Sequence, residues 1–369
     1  MATLPAGVSA HIDDVCDPIL LARMIEERYV RTQVHPHLPL TIYNYTQHAQ
    51  FDRVWNDTTR SCRGLIVDDA GRVVGRPFTK FFNYGEHNLE QLPKGVVQVT
   101  DKLDGSLGIL YPTSSGYAIA TRGSFVSDQA RHATSLWSTR YADVFEPNPD
   151  WTYLFEIIYP ENRIVVDYQG LDDLVLIGAV EIATGRSIPL DDARLGWPGR
   201  TVAEFAYTTL EEAVAAPERG GVEGIVVHFV DADLRVKIKH DEYVRLHRIV
   251  TGVSERRIWE ALSEGEDLSD WLEAVPDEFY TFVTETRDRL LTQRLEITRA
   301  VHERYAEVVA GLPTGWVRRD FAAAVTAMGW PLARALFLVL DGKEFDHLVW
   351  AQIRPTEHRP IFTQGEDSN

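Results

Sequence analysis

Apolar positions change rhythm along this chain. From about Leu38 to Lys239 they come in short runs cut by Gly, Pro, Asn and Asp: Leu65 to Val67, Val73 to Val74, Val96 to Thr100, Ala118 to Thr121, Tyr153 to Ile158, Leu174 to Val180, Gly224 to Phe229 and Leu234 to Ile238. Such runs predict strands, with a few helices between them, and hence an α+β region built on antiparallel sheets. Beyond about Asp241 the period lengthens. Phe279, Val283, Leu290, Ile297, Val301, Tyr305 and Val308 fall at helical spacing, and Gly311 and Pro313 end that pattern. Arg319 to Met328 and Leu332 to Leu340 read as further helices separated by Gly329 and Pro331. The pattern predicts a mixed domain over residues 1–242 and an all-helical domain over 243–369, with a disordered tail from Gln364 to Asn369.

Polar residues break the strand pattern at a few places. Lys102-Leu103-Asp104-Gly105-Ser106 follows the strand of Val96, Val97 and Val99 and precedes the apolar run Leu107 to Tyr111, so the lysine stands at a strand end beside a tight turn. A lysine in that setting is how nucleotidyltransferases present an amine to a nucleotide α-phosphate, although a surface hairpin turn would give the same short pattern. Glu156 interrupts a run that is apolar on both sides, where an unpartnered carboxylate would cost several kcal/mol, roughly 2–7 for a polar group. Glu223 precedes a buried strand entered through Gly224, which lets backbone approach a ligand closely. In Arg235-Val236-Lys237-Ile238-Lys239, the two lysines share one strand face, an arrangement that suits an anion such as a triphosphate.

Composition narrows the class. With 369 residues, 44% hydrophobic and 25% charged, the chain can bury a sizeable core and form two domains. Asp13, Asp14 and Asp17 stand where a secretory leader would need an apolar stretch, and no segment approaches membrane-spanning length, which predicts a cytoplasmic protein. Cys16 and Cys62 are the only cysteines and support neither a disulfide framework nor a structural zinc site. The formal net charge of -18 argues against non-specific coating of nucleic acid, yet leaves room for a local basic cleft. Arg63, Arg72, Arg76, Lys80, Arg122 and Arg163 are candidates for one.

Taken in order, Cys62-Arg63-Gly64, Lys80-Phe81-Phe82-Asn83, Lys102-Leu103-Asp104-Gly105-Ser106, Phe155-Glu156, Pro160-Glu161-Asn162-Arg163-Ile164-Val165, Glu223-Gly224 and Lys237-Ile238-Lys239 resemble the covalent nucleotidyltransferase superfamily of ligases and capping enzymes. Within it the chain looks most like the RNA ligase 1 family of bacteriophage tRNA-repair ligases, over roughly Tyr43 to Lys239. The resemblance implies a nucleotidyltransferase (ATP-grasp-like ligase) domain in which Lys102 accepts AMP from ATP. It further implies that Arg63, Lys80 and Phe82 help hold ATP, with Asp104 and Gly105 in the nucleotide-binding loop. Glu156 would bind the ribose hydroxyls, Glu223 would help place Mg²⁺ or Mn²⁺ through water, and Lys237 with Lys239 would grip the phosphates. Arg122 stands where that family often has a lysine, which keeps the charge but exchanges a point charge for a planar fork. The implied partners are RNA ends, tRNA among them, with no membrane, and a monomer is favoured.

The helical C-terminal third separates this chain from DNA ligases and capping enzymes, whose last lysine motif is usually followed by an OB-fold barrel of short strands. Two roles stay open for it, docking a structured RNA or bracing the catalytic domain. Two rival functions also stay open: a related lysyl-nucleotidyltransferase, either a DNA ligase or a GTP-using capping-type enzyme, and a non-catalytic RNA-binding protein that retains the fold.

Overall fold

The structure, a computed structural model, describes residues 10–241, 243, 244, 254–266, 268 and 280–355. The chain divides into two compact units, 1–250 and 251–369. Phe279 and the tail from Gln364 to Asn369 lie outside the described residues.

The first unit begins with β1 (Val30–Val34), β2 (Leu40–Tyr45), β3 (Arg63–Asp68) and β4 (Val73–Gly75). These four form an antiparallel sheet in chain order. Next come β5 (Phe82–Asn83), β6 (Val97–Lys102), β7 (Ser106–Thr113) and β8 (Gly116–Ala120), then β9 (Trp151–Ile158), β10 (Asp173–Glu181), β11 (Ser187–Ile188) and β12 (Glu204–Phe205). β13 (Gly224–Phe229) and β14 (Leu234–Lys239) complete the strands. A second sheet runs β11–β10–β9–β7–β8 and a third runs β12–β6–β13–β14–β5. Only β5 against β14 is a parallel pairing among the named strands. Leu103 to Gly105 therefore carry the chain from the third sheet into the second.

Strand character follows burial. β9 is central in its sheet, with Thr152 to Phe155, Ile157 and Ile158 buried, which is why the run is almost uninterrupted by polar residues. Leu40, Ile42 and Ile66 of the first sheet pack with Ile109, Tyr111, Leu154 and Val180 of the second. On the other side of the second sheet, the helix Asp128–Leu136 lays Ala133 and Leu136 against Leu110, Ile119 and Phe155. Its N-terminus is capped by Ser127 Oγ, which accepts the Ala130 N–H at 3.2 Å. One face of the third sheet has its own core of Val97, Val99, Ile225, Val227, Phe229 and Val236.

Boundaries shift at several predicted strands. Val96 lies outside β6 and is exposed, and Thr121 lies outside β8 because its N–H turns to the Ser124 carbonyl. The strand region also starts earlier than predicted, at Val30.

In the second unit the described elements are all helical: Glu255–Glu264, Tyr280–Ala310, Arg318–Met328, Ala333–Leu340 and Asp346–Gln352. Val301, Val308, Phe321, Val325, Ala335, Leu336, Phe345 and Val349 form its core. Gly329, with φ 63°, closes Arg318–Met328 in the left-handed conformation that a C-terminal cap favours. Among the described residues of this unit there is no strand.

Candidate active site

Register in the third sheet sets the lysines. Gly224 pairs with Lys102 on one side and Lys239 on the other, and Val226 pairs with Thr100 and Lys237. Because side chains alternate, Lys102, Lys237 and Lys239 lie on one face while Val99, Val227 and Val236 line the opposite face. Gly224 itself has φ 154°, and a Cβ there would come within 2.1 Å of the Ile238 carbonyl oxygen. Only glycine allows β13 to lie this close to β14, so the residue before it, Glu223, is delivered to the end of both neighbouring strands.

The Glu223 carboxylate sits between two ammonium groups. Its Oε2 is 2.7 Å from Lys102 Nζ and its Oε1 is 2.9 Å from Lys239 Nζ. The Glu223 side chain is only 3% exposed, against 21% for Lys102, so the carboxylate is the buried centre and the lysine the accessible arm. Burial pushes the Glu223 carboxyl up, but the Lys102 and Lys239 ammonium groups outweigh it and hold the carboxyl below its ordinary range. Lys239 also lies 5.3 Å from the centroid of the Tyr243 ring.

A second carboxylate approaches from the second sheet. Glu156 on β9 is partly buried, and its Oε1 accepts the Gly105 N–H at 3.0 Å. Burial pushes its carboxyl up to about 7, while the Lys102 ammonium pulls the other way. A Cβ on Gly105 would lie 2.6 Å from the Ile157 carbonyl oxygen, so this turn also requires glycine. Asp104, predicted as part of the nucleotide-binding loop, is 4% exposed and is committed to protein partners. Its Oδ2 accepts from Val165 N at 2.9 Å and Val166 N at 2.8 Å, and its Oδ1 accepts from Tyr243 Oη at 2.8 Å.

The remaining predicted cations divide. Lys80, 4% exposed, places Nζ 5.4 Å from the ring centroids of Tyr45 and Trp55 and 5.5 Å from that of Phe82. Arg122 donates to Tyr45 Oη at 2.6 Å and lies over the same ring. Arg63 donates to the Phe78 carbonyl at 3.3 Å and lies over Phe81. β5 runs beside β14, where Phe82 pairs with Val236 and Asn83 with Lys237, so it is Asn83 that shares the lysine face by register. Tyr45 and Trp55, which complete the cage around Lys80, carry no local sequence signal. They are found only through the fold.

The other three cleft candidates are engaged elsewhere. Arg72 pairs with Asp68 at 2.7 Å and Arg163 with Asp167 at 3.2 Å, both as largely exposed guanidinium groups. Arg76 instead donates to the carbonyls of Ile182 and Ala183 at 3.0 and 3.1 Å, supporting the end of β10. Each has a local acceptor that satisfies its charge or its donors.

No cluster of three or more His, Cys, Asp or Glu suited to a metal occurs among the described residues. Glu223 lies between Lys102 and Lys239, and Glu156 acts on Lys102 from the second sheet, so a divalent ion beside them would take its remaining ligands from phosphate oxygens and water. No described helix is long and apolar enough to cross a membrane.

A family model described as RNA ligase matches residues 61–243. An RNA ligase of Rhodothermus phage RM378 is 24% identical, over 83% of this chain and 86% of that protein. A putative RNA ligase of Thermovibrio ammonificans is 32% identical, over 57% of this chain and 58% of that one. Among solved structures, an archaeal ATP-dependent RNA ligase is similar with a TM-score of 0.47 and 16% identity, over 90% of this chain and 98% of that one. Lys102, Glu156, Glu223, Lys237 and Lys239 all fall inside the segment that the RNA ligase family model matches.

Proposed function

We propose that this protein seals RNA by ATP-dependent ligation, with Lys102 as the residue that carries AMP. The observation that carries the reading is the placement of Lys102 Nζ, accessible at a strand end and 2.7 Å from a buried carboxylate that it shares with Lys239. An amine in this position can attack the α-phosphate of ATP, forming a P–N bond as the bond to pyrophosphate breaks. Before attack it must lose a proton and leave its ion pair with Glu223 Oε2, so that the amine lone pair faces the phosphate.

The surrounding residues have separate tasks. Lys237 and Lys239 face the phosphates and offset the charge that develops as pyrophosphate leaves. Arg63, Lys80 and Arg122, supported by Phe82 and Tyr45, hold the polyphosphate. Glu156 accepts from the ribose hydroxyls while its Oε1 also fixes the Gly105 N–H. Asp104 shapes the nucleotide-binding loop through its three acceptor contacts. A bound Mg²⁺ or Mn²⁺, reached by Glu223 through water, would add electrostatic stabilisation of the phosphates. AMP then passes from Lys102 to an RNA 5′-phosphate. A 3′-hydroxyl attacks that adenylate, forming the phosphodiester and releasing AMP. RNA repair, with broken tRNA among its substrates, is the role this chemistry suits.

Incubation with α-labelled ATP and a divalent cation tests the reading. Wild-type protein is expected to become labelled and Lys102→Ala to remain unlabelled, and 5′-phosphorylated RNA is expected to be joined. Equal labelling of the two proteins overturns the covalent mechanism. Labelling by GTP but not ATP, or sealing of nicked DNA with failure on every RNA, overturns the choice of nucleotide or acceptor.

A further inference from the structure

The segment from Pro160 to Tyr168 contains the Pro-Glu-Asn-Arg-Ile-Val stretch, for which the chemistry above has no task. It grips the nucleophile's own loop. Leu103 to Gly105 cross between two sheets, and β6 ends at Lys102, so this backbone has no ladder to define it. Side chains satisfy it instead. The Asp104 N–H donates to Tyr168 Oη at 2.7 Å, and the Gly105 N–H donates to Glu156 Oε1 at 3.0 Å.

Further bonds run from the same segment. Val165 and Val166 donate their N–H groups to the Asp104 carboxylate. Asn162 Nδ2 donates to Ser106 Oγ and to the Ile157 carbonyl, both at 3.1 Å. The strap therefore holds the crossing at Asp104 and at Ser106, on both sides of the Gly105 turn. Burial raises the pKa of the Tyr168 phenol above its ordinary value, so it stays a neutral hydroxyl through the physiological range.

Lys102 is the residue whose geometry depends on this. Its backbone is paired with Gly224 on one side, and beyond it the peptide direction is set by the strap. We propose that Tyr168 is a positioning residue for nucleotidyl transfer: by accepting the Asp104 N–H it fixes the Leu103–Asp104 peptide, one residue beyond Lys102, and so aims Nζ at the α-phosphate. Asn162 supports it through Ser106. This proposal rests on the reading of Lys102 as the AMP acceptor. It predicts an effect on the reaction rate and not on nucleotide affinity, because Arg63, Lys80 and Arg122 are held by other partners.

The test is single-turnover labelling of Lys102 from α-labelled ATP in wild type, Tyr168→Phe, Ser106→Ala and Lys102→Ala. Tyr168→Phe keeps the ring and removes the acceptor. Its maximal labelling rate is expected to fall on the order of ten- to a hundredfold, the effect of a small misplacement of a reacting atom. The ATP concentration for half-maximal rate should stay within about twofold, since binding contacts common to ground and transition states are unchanged. Ser106→Ala should lower the rate by a smaller factor in the same manner. A wild-type rate in Tyr168→Phe overturns the proposal, as does a rise in half-saturating ATP with an unchanged maximal rate. Should Tyr168→Phe fail to fold, a wild-type rate in Ser106→Ala overturns it. Labelling of Lys102→Ala would instead defeat the reading of Lys102, a separate result.

Discussion

Two buried positive groups in the first unit are held in opposite ways. Lys239, with Lys102 beside it, meets the Glu223 carboxylate, whereas Lys80 sits among the rings of Tyr45, Trp55 and Phe82. The carboxylate offsets one of the two ammonium charges and binds each lysine through one oxygen. Aromatic faces attract a cation through their quadrupoles without neutralising it, at roughly 0.5–2 kcal/mol for each contact. A lysine held by a carboxylate can exchange that partner for phosphate. Rings pack the stem of a lysine and add a cation–π contact that an incoming phosphate need not displace. The first arrangement suits the bond-making end of the site and the second suits grip on the polyphosphate.

Glu223→Gln should break the contrast most severely. The amide has nearly the same shape but leaves two lysines facing each other around a buried neutral group. Removing one partner from a buried ion pair costs about 3–5 kcal/mol, and the 21% exposure of Lys102 places this site toward the lower end. Urea unfolding should show that loss, and the labelling rate should fall by about a hundredfold or more, as when a preorganised electrostatic contact is removed. The double variant Glu223→Gln, Lys239→Met sharpens the point. It should recover part of the stability, because one of the opposed charges is gone, without recovering labelling. Recovery of neither would mean that repulsion between the lysines is not the source of the loss.

Lys80→Met should have a smaller effect of a different kind. Methionine fills a similar volume and contacts aromatic rings favourably, so stability should fall by no more than about 1–2 kcal/mol. Half-saturating ATP should rise about tenfold, one charge-assisted contact being worth roughly 1.5–3 kcal/mol. A large drop in unfolding midpoint with unchanged ATP affinity would make the cage a structural core and remove the contrast.

Much of this was legible in the sequence, and the exceptions have one physical source. β13 was predicted with the bounds observed, and β9 and β10 nearly so, because central strands read as apolar runs. Lys102, Glu156, Glu223 and Lys239 announced themselves as charges at strand ends or within buried strands. What remained hidden was which charges meet. The structure gives Glu223 direct contact with Lys102 and Lys239, a meeting set by the register about Gly224 and not by any local period. Tyr45 and Trp55 reach Lys80, and Tyr168 reaches Asp104, across chain separations that no local period encodes. Arg72, Arg76 and Arg163 looked like cleft cations because sequence shows charge but not the acceptor beside it.

Glu156 gives the finest test, since it touches both the turn and, by the proposed function, the ribose. Its carboxyl is raised to about 7, chiefly by burial, so the folded state holds that proton more tightly than the unfolded chain does. Stability from this group is therefore full below the ordinary carboxylate range and is lost as pH rises towards about 7. Glu156→Gln cannot titrate there, so its stability should be flatter with pH across that window, as measured by urea unfolding at a series of pH values. Ionisation also makes the carboxylate a stronger acceptor. Wild-type affinity for ATP should thus rise a few-fold as pH passes through about 7, charged hydrogen bonds being roughly twice as strong as neutral ones, while the glutamine variant should not respond. If Glu156→Gln keeps the wild-type pH dependence of both stability and affinity, the titrating group is elsewhere, and Glu156 serves the Gly105 turn alone.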